Sequence, residues 1–96
     1  MNKYEIMFIV KATIESELVK KTAENFKTVV TSTGSKVLEF KELGEKKLAY
    51  AIKKELNGYY FLMNIEANKE TIVEFDRKAN LDENVLRHLI IKLDEE

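Results

Sequence analysis

Few side chains in this sequence are equipped for covalent or metal chemistry. The lone histidine, His88, has no serine at a spacing that suggests a nucleophile and base, and no second histidine with which to share a metal. It reads as a packed or surface imidazole. Gly34, Gly44 and Gly58 stand too far apart to cradle a phosphate, so neither a P-loop nor a dinucleotide fingerprint is present, and the three read as turn residues. Cysteine is absent, which excludes disulfides, thiolate metal sites and a cysteine nucleophile and is compatible with a reducing cytoplasm. Carboxylates are plentiful, but each lies beside lysines, and no pair is singled out for acid–base work. The sequence predicts no enzyme, no metal and no cofactor.

What remains is charge and aromatic surface. The net charge is −1, which argues against a globally basic nucleic-acid binder. The distribution is uneven: the terminal "DEE" is acidic, while residues 41 to 54 hold five lysines against two glutamates. Such a segment can contact phosphates locally; the plainer reading is a solvated strand pair whose lysines discourage edge pairing. "NGYYFLMN" partly matches the third-strand signature of RNA-recognition domains at Gly58, Tyr59 and Phe61. It lacks the leading basic residue, has bulky Tyr60 where a small residue belongs, and ends in Asn64 rather than an aromatic. Base stacking there would also bury Asn64 and Glu66 against the helices, so Tyr59 and Phe61 read as core.

These residues must be positioned by a small scaffold. A 96-residue chain fits one domain, here residues 1–96, burying about 65% of its unfolded surface. With 45% apolar and 34% charged residues and no membrane-length apolar run, it reads as soluble. Lys3 ahead of Ile6 to Val10 superficially resembles a secretion signal, but the run is short and no small-residue cleavage site follows. "KYEIMFIV" instead reads as a strand with Tyr4, Ile6, Phe8 and Val10 on one face and Glu5, Met7 and Ile9 on the other. Ser16 is placed to cap a helix over roughly 16–32, with Leu18, Val19, Thr22, Phe26, Val29 and Val30 as its buried stripe and Gly34 as its stop. A second strand follows, bent or broken at Gly44, with Leu48, Tyr50 and Ile52 on one face. Asn57-Gly58 is the hairpin signal before a third strand whose drier face carries Tyr59, Phe61, Met63, Ile65 and Ala67. Asn68 caps a second helix with Ile72, Phe75 and Ala79 facing inward, and "NVLRHLIIKL" closes the chain as a fourth strand.

The order βαββαβ predicts an α+β, ferredoxin-like fold: a four-stranded antiparallel sheet with strands one and three central and both helices on one face. The other face must then meet water or a partner. Its expected residues, Met7, Ile9, Tyr60 and Leu62, are too apolar for solvent alone and mark a protein-partner face. Strand alternation groups Arg87 with Leu89 and Ile91, and His88 with Leu86 and Ile90. Neutral imidazole is the cheaper of the two to bury, so Arg87 is expected on the open face.

Taken together, "KYEIMFIV", "GEKKLAYAIKK", "NGYYFLMNIEA" and "DENVLRHLIIK" resemble, in order and over nearly the full length, the bacterial ribosomal protein S6 family of the small subunit. Lys46 and Lys47 stand where arginine is common in that family, and Ala51 where proline is frequent. The resemblance implies a cytoplasmic structural protein of the ribosome that binds small-subunit (16S) ribosomal RNA in the central domain together with ribosomal protein S18. No membrane or small-molecule substrate is implied. Lys46 and Lys47 occupy the matching basic pair and are expected to contact phosphate, with Lys3, Arg87 and Lys92 as further RNA-binding candidates. Lysine keeps the charge but loses the bidentate fork of arginine. Tyr4 and Tyr50 read as packing residues. Because fold does not fix function, a protein-interaction or small-ligand regulatory module remains the alternative. A hydrolase of the acylphosphatase type would need an arginine-bearing anion loop, and "KATIE" has neither arginine nor glycine.

Overall fold

A computed structural model describes residues 2–93; the acidic terminal residues 94–96, and the charge reading placed on them, lie outside the described residues. The elements run β1 (Asn2–Lys11), α1 (Ser16–Ser32), β2 (Lys36–Ile52), β3 (Glu55–Ala67), α2 (Lys69–Leu81) and β4 (Val85–Lys92). They form one antiparallel sheet in the order β2-β3-β1-β4. This is the ferredoxin-like arrangement that the element order predicts, with β1 and β3 central.

Helix α1 begins one residue earlier than a Ser16 cap would have it. Glu15 is the N-cap and its side chain makes no capping bond, so the first free N–H groups of the helix lean on the Glu15 carbonyl instead. Its end is better secured. Gly34 takes a φ of +84°, its N–H bonds the Thr31 carbonyl, and the Ser35 N–H bonds that of Val30, the paired arrangement of a Schellman stop. Of the expected stripe, Leu18 is 44% exposed, and Ala23 takes the inward place with Val19, Thr22, Phe26, Val29 and Val30. Helix α2 starts as expected: Asn68 Oδ1 accepts from the Thr71 N–H at 2.9 Å.

The core lies between the helices and the odd face of β3. Phe8 stacks on Phe61 with ring centroids 5.1 Å apart, and Phe26 packs on Phe75 at 4.8 Å and on Phe8 at 5.2 Å. Each such pair adds about 0.5–1.5 kcal/mol beyond simple burial. Above this cluster Thr71 Oγ1 lies 2.6 Å from Ser35 Oγ and 2.7 Å from Thr33 Oγ1, a hydroxyl relay that ties the end of α1 and the approach to β2 to the start of α2.

The hairpin turn differs from the expected one. Ile52 and Glu55 pair across Lys53 and Lys54, whose φ angles of +50° and +68° are the two positive values that a two-residue type I′ turn requires. Asn57 and Gly58 lie inside β3. Gly58 is there for closeness, since a Cβ built on it would overlap Ile9 Cγ2 and meet Val10 O at 3.4 Å and Leu86 Cδ1 at 3.5 Å. Gly44 does serve β2 as a bulge: its φ is +89°, and the register slips by one residue between Glu42 and Gly44.

Candidate functional site

Because both helices pack on one side, the other side of the sheet carries the remaining even residues of β3 and odd residues of β1. Register fixes how they line up. One row across the strands runs Lys36, Glu66, Lys3; the next Glu39, Asn64, Glu5, Ile91; the next Lys41, Leu62, Met7, Leu89. Met7 and Leu62 are half-buried, and Leu89 and Ile91 are each 45% exposed. An apolar band therefore crosses the middle of the open face.

Ile9 does not belong to that exposed band. It is 5% exposed, in a cluster with Leu48 and Leu86, against which Ile52 and Tyr60 pack. Two causes act together. Between the pairs Lys47–Asn57 and Ile52–Glu55, β2 spends five residues where β3 spends two, so the ladder lapses and the end of the hairpin is released from the plane of the sheet. It turns over the open face and reaches β4, the strand farthest from β2. Tyr50 Oη accepts from Arg87 Nη1 at 2.7 Å, and Lys53 Nζ donates to the Val85 carbonyl at 3.1 Å. The second cause is a bulge in β4: Ile9 pairs with Arg87 and Val10 with Val85, so Leu86 is the extra residue. Alternation placed Leu86 with His88, but the bulge delivers it to the Ile9 cluster on the opposite face. One end of the open face is thus roofed by the chain's own hairpin. Under the roof is a groove of about 230 Å³, with Met7, Leu89, Tyr60 and Ile52 among its walls and Arg87 and Tyr50 supplying polar groups.

The expected basic residues separate between the faces. Arg87 shares the open face with Ile9 and lines the groove, and Lys46, opposite Gly58, holds its ammonium 5.7 Å from the centre of the Tyr60 ring. Both therefore lie at the roofed end of the open face. Lys47, the next residue along β2, points to the other face and is exposed. Lys3 is on the open face opposite Glu66, ~20 Å along β1 from the Arg87 row at a rise of about 3.3 Å per residue. Lys92 pairs with Tyr4 and so lies on the helix side. Tyr4 is buried and Tyr50 exposed.

His88 is on the helix face, with Nε2 2.7 Å from Asp76 Oδ1 and its ring against Phe75. Among the described residues no group of His, Cys, Asp and Glu is arranged to hold a metal, and no helix is long and apolar enough to cross a membrane. The features absent from the sequence reading were the roofing hairpin and the Leu86 bulge. The one legible signal for the roof was length: β2 has 17 residues, against 10 in β1 and 8 in β4, so its hairpin must outrun the sheet.

The family model for ribosomal protein S6 matches residues 3–92, all six elements but for Asn2 at the start of β1. The chain belongs to the ribosomal protein S6 family. Its fold is similar to that of 30S ribosomal protein S6 from Thermotoga maritima, with a TM-score of 0.91 at 22% identity over 96% of this chain and 87% of that one. The S6 family is one of structural ribosomal proteins of the small subunit.

Proposed function

We propose that the chain binds the small-subunit ribosomal RNA in its central domain together with ribosomal protein S18, and that it does so in the cytoplasm. The observation that carries this reading is the juxtaposition on one face of an apolar band, with Leu89 and Ile91 half-exposed, and a basic border formed by Arg87 and Lys46. The band suits a protein and the border suits phosphate. Met7 and Leu62 dock S18, and Arg87, Lys46 and Lys47 take RNA phosphates, with Lys3 and Lys92 as outlying contacts. Arg87 is the best prepared of these, because Tyr50 holds one edge of its guanidinium and leaves its other N–H groups free to donate. A net charge of −1 gives little long-range attraction to RNA, so tight binding is expected to require the protein partner.

The test is binding to a central-domain RNA fragment at increasing salt, with and without S18. Affinity should fall linearly on logarithmic axes, and the Lys46→Ala, Lys47→Ala double variant should flatten the slope by about 0.7–0.9 per lost phosphate contact. A salt-independent affinity, or a slope unchanged in the variant, would refute phosphate contact by this pair.

A further inference from the structure

The groove under the hairpin is apolar on its walls and cationic at its rim. Ile9 and Leu48 are buried beside it, and Met7, Leu89 and the Tyr60 ring give it further apolar surface. Its lining contains no carboxylate. Arg87 comes to the rim from β4, while Lys46 and Lys11 stand in one row on either side of Gly58, about 10 Å apart at two strand spacings. None of these three cations forms an ion pair among the described residues. The open-face carboxylates Glu5, Glu39 and Glu66 lie in rows beyond the apolar band. The groove also has hydrogen-bonding groups to spare. Because the ladder lapses between Lys47 and Ile52, the main chain of Leu48, Ala49 and Tyr50 has no strand partner where it lines the groove. Tyr50 Oη accepts from Arg87 and keeps its own hydrogen to donate.

We propose that this groove receives one unpaired RNA base, its ring against the apolar walls and its edge toward the free main-chain groups, while Arg87, Lys46 and Lys11 take the phosphates around it. This rests on the reading that RNA lies along the basic border, and it adds that the RNA there is single-stranded and held by a base as well as by its backbone. At about 230 Å³ the groove is smaller than the roughly 300–1,000 Å³ of drug-sized pockets, room for one base and not for a stacked or paired set. A polyanion suits three separated cations, whereas an acidic side chain of a protein would engage one of them. An aliphatic side chain would leave the free main-chain groups unanswered. The residues concerned differ from the Tyr59 and Phe61 platform of RNA-recognition domains, which here faces the core.

The test uses the full chain, labelled with nitrogen-15, and two single-stranded RNA hexamers of equal charge, hexauridylate and an abasic hexamer with the same sugar-phosphate backbone. Hexauridylate should shift the Ala49, Tyr60 and Leu89 amides and bind about tenfold more tightly than the abasic hexamer, the range of one base stacked on an aromatic ring. Tyr60→Leu should bring the two affinities together. Ala49→Leu, at an exposed position outside both buried clusters, should fill the groove and do the same while leaving the salt dependence of the abasic hexamer unchanged. Equal affinities for the two hexamers, a preference unchanged in both variants, or binding of neither hexamer would overturn the proposal. So would a capped Leu-Glu-Leu peptide that occupies the groove more tightly than hexauridylate, which would make it a protein site. No S18 and no ribosomal RNA are present, so the two readings fail separately. Base selectivity without binding to the central-domain fragment would sink only the ribosomal-RNA reading, and binding to that fragment without base selectivity would sink only this one.

Discussion

Replacing Gly58 by alanine should destabilise the protein even though an alanine strand residue is intrinsically better than glycine by about 0.5–1 kcal/mol. The added methyl would overlap Ile9 Cγ2, and Ile9 is itself enclosed by Leu48 and Leu86. It cannot swing away without disturbing the cluster that seats the hairpin on the sheet. Overpacking of this kind costs about 1–3 kcal/mol. The net loss should be about 1–2 kcal/mol, a fall in Tm of roughly 5–15 °C for a domain of this size. Urea denaturation followed by circular dichroism reads it directly, and an unchanged m-value would show that the loss is in the native state. A second substitution isolates the cause. Ile9→Leu moves the branch from Cβ to Cγ and so removes Cγ2 while conserving volume. In that background Gly58→Ala should cost about 1 kcal/mol less, a coupling that a double-mutant cycle resolves. If Gly58→Ala is as stable as the natural protein, or if its cost is the same in both backgrounds, the contact with Ile9 is not what requires glycine here.

Gly44 requires glycine for a different reason: its φ is +89° and nothing lies within 4 Å of a Cβ built on it. Gly44→Ala should cost about 1–2 kcal/mol by thermal melting, and Gly44→Asn distinctly less, since asparagine tolerates the left-handed region. Thr71→Val keeps the shape of the side chain but strips buried Ser35 of its hydroxyl partner, for a loss of about 1–3 kcal/mol in urea denaturation that Thr71→Ser should largely avoid. Arg77 donates a side-chain hydrogen bond to Glu74 and, with its charge added, holds that carboxyl below the usual glutamate range. The stabilisation from this pair should be present above the unfolded-state pKa and disappear as pH falls through the lower folded value. A carboxyl-carbon NMR titration should show Glu74 moving back up in Arg77→Gln.

The fold was legible where local pattern and tertiary demand coincide. "KYEIMFIV" alternates because β1 is a central strand, Asn68 caps α2 by contacts within one turn, and Gly44 marks a bulge whose dihedral is set by the chain itself. Errors arose where one residue type serves two needs. Asn57-Gly58 carries a hairpin signature, yet Gly58 is kept small by Ile9, a residue 49 positions away in sequence. The turn falls instead on Lys53-Lys54, two residues with no special tolerance for positive φ, in an exposed loop. For the candidate site, the sequence grouped Arg87 with Leu89 and Ile91 on one face and chose Met7, Ile9, Tyr60 and Leu62 for the partner face; the register places all seven on the open side, but Ile9 is covered by the hairpin and Tyr60 packs beside it. It could not show Lys46 against Tyr60, nor that Ile9 is covered.

What the amino-acid order decided alone is which residues can be buried together, because the two-residue and three-to-four-residue periods of apolar side chains depend only on backbone geometry. Element order and the one-sided helix layer follow from that, while the S6 family likeness rests on particular motifs in order along the chain. Tertiary structure decided how much of the second face stays open. The ladder between β2 and β3 lapses after Lys47, the bulge in β4 turns Leu86 around, and the freed hairpin closes over Ile9. Both are shifts in pairing between strands distant in sequence, set by the fit of side chains across the sheet, and no periodicity within a single strand encodes them.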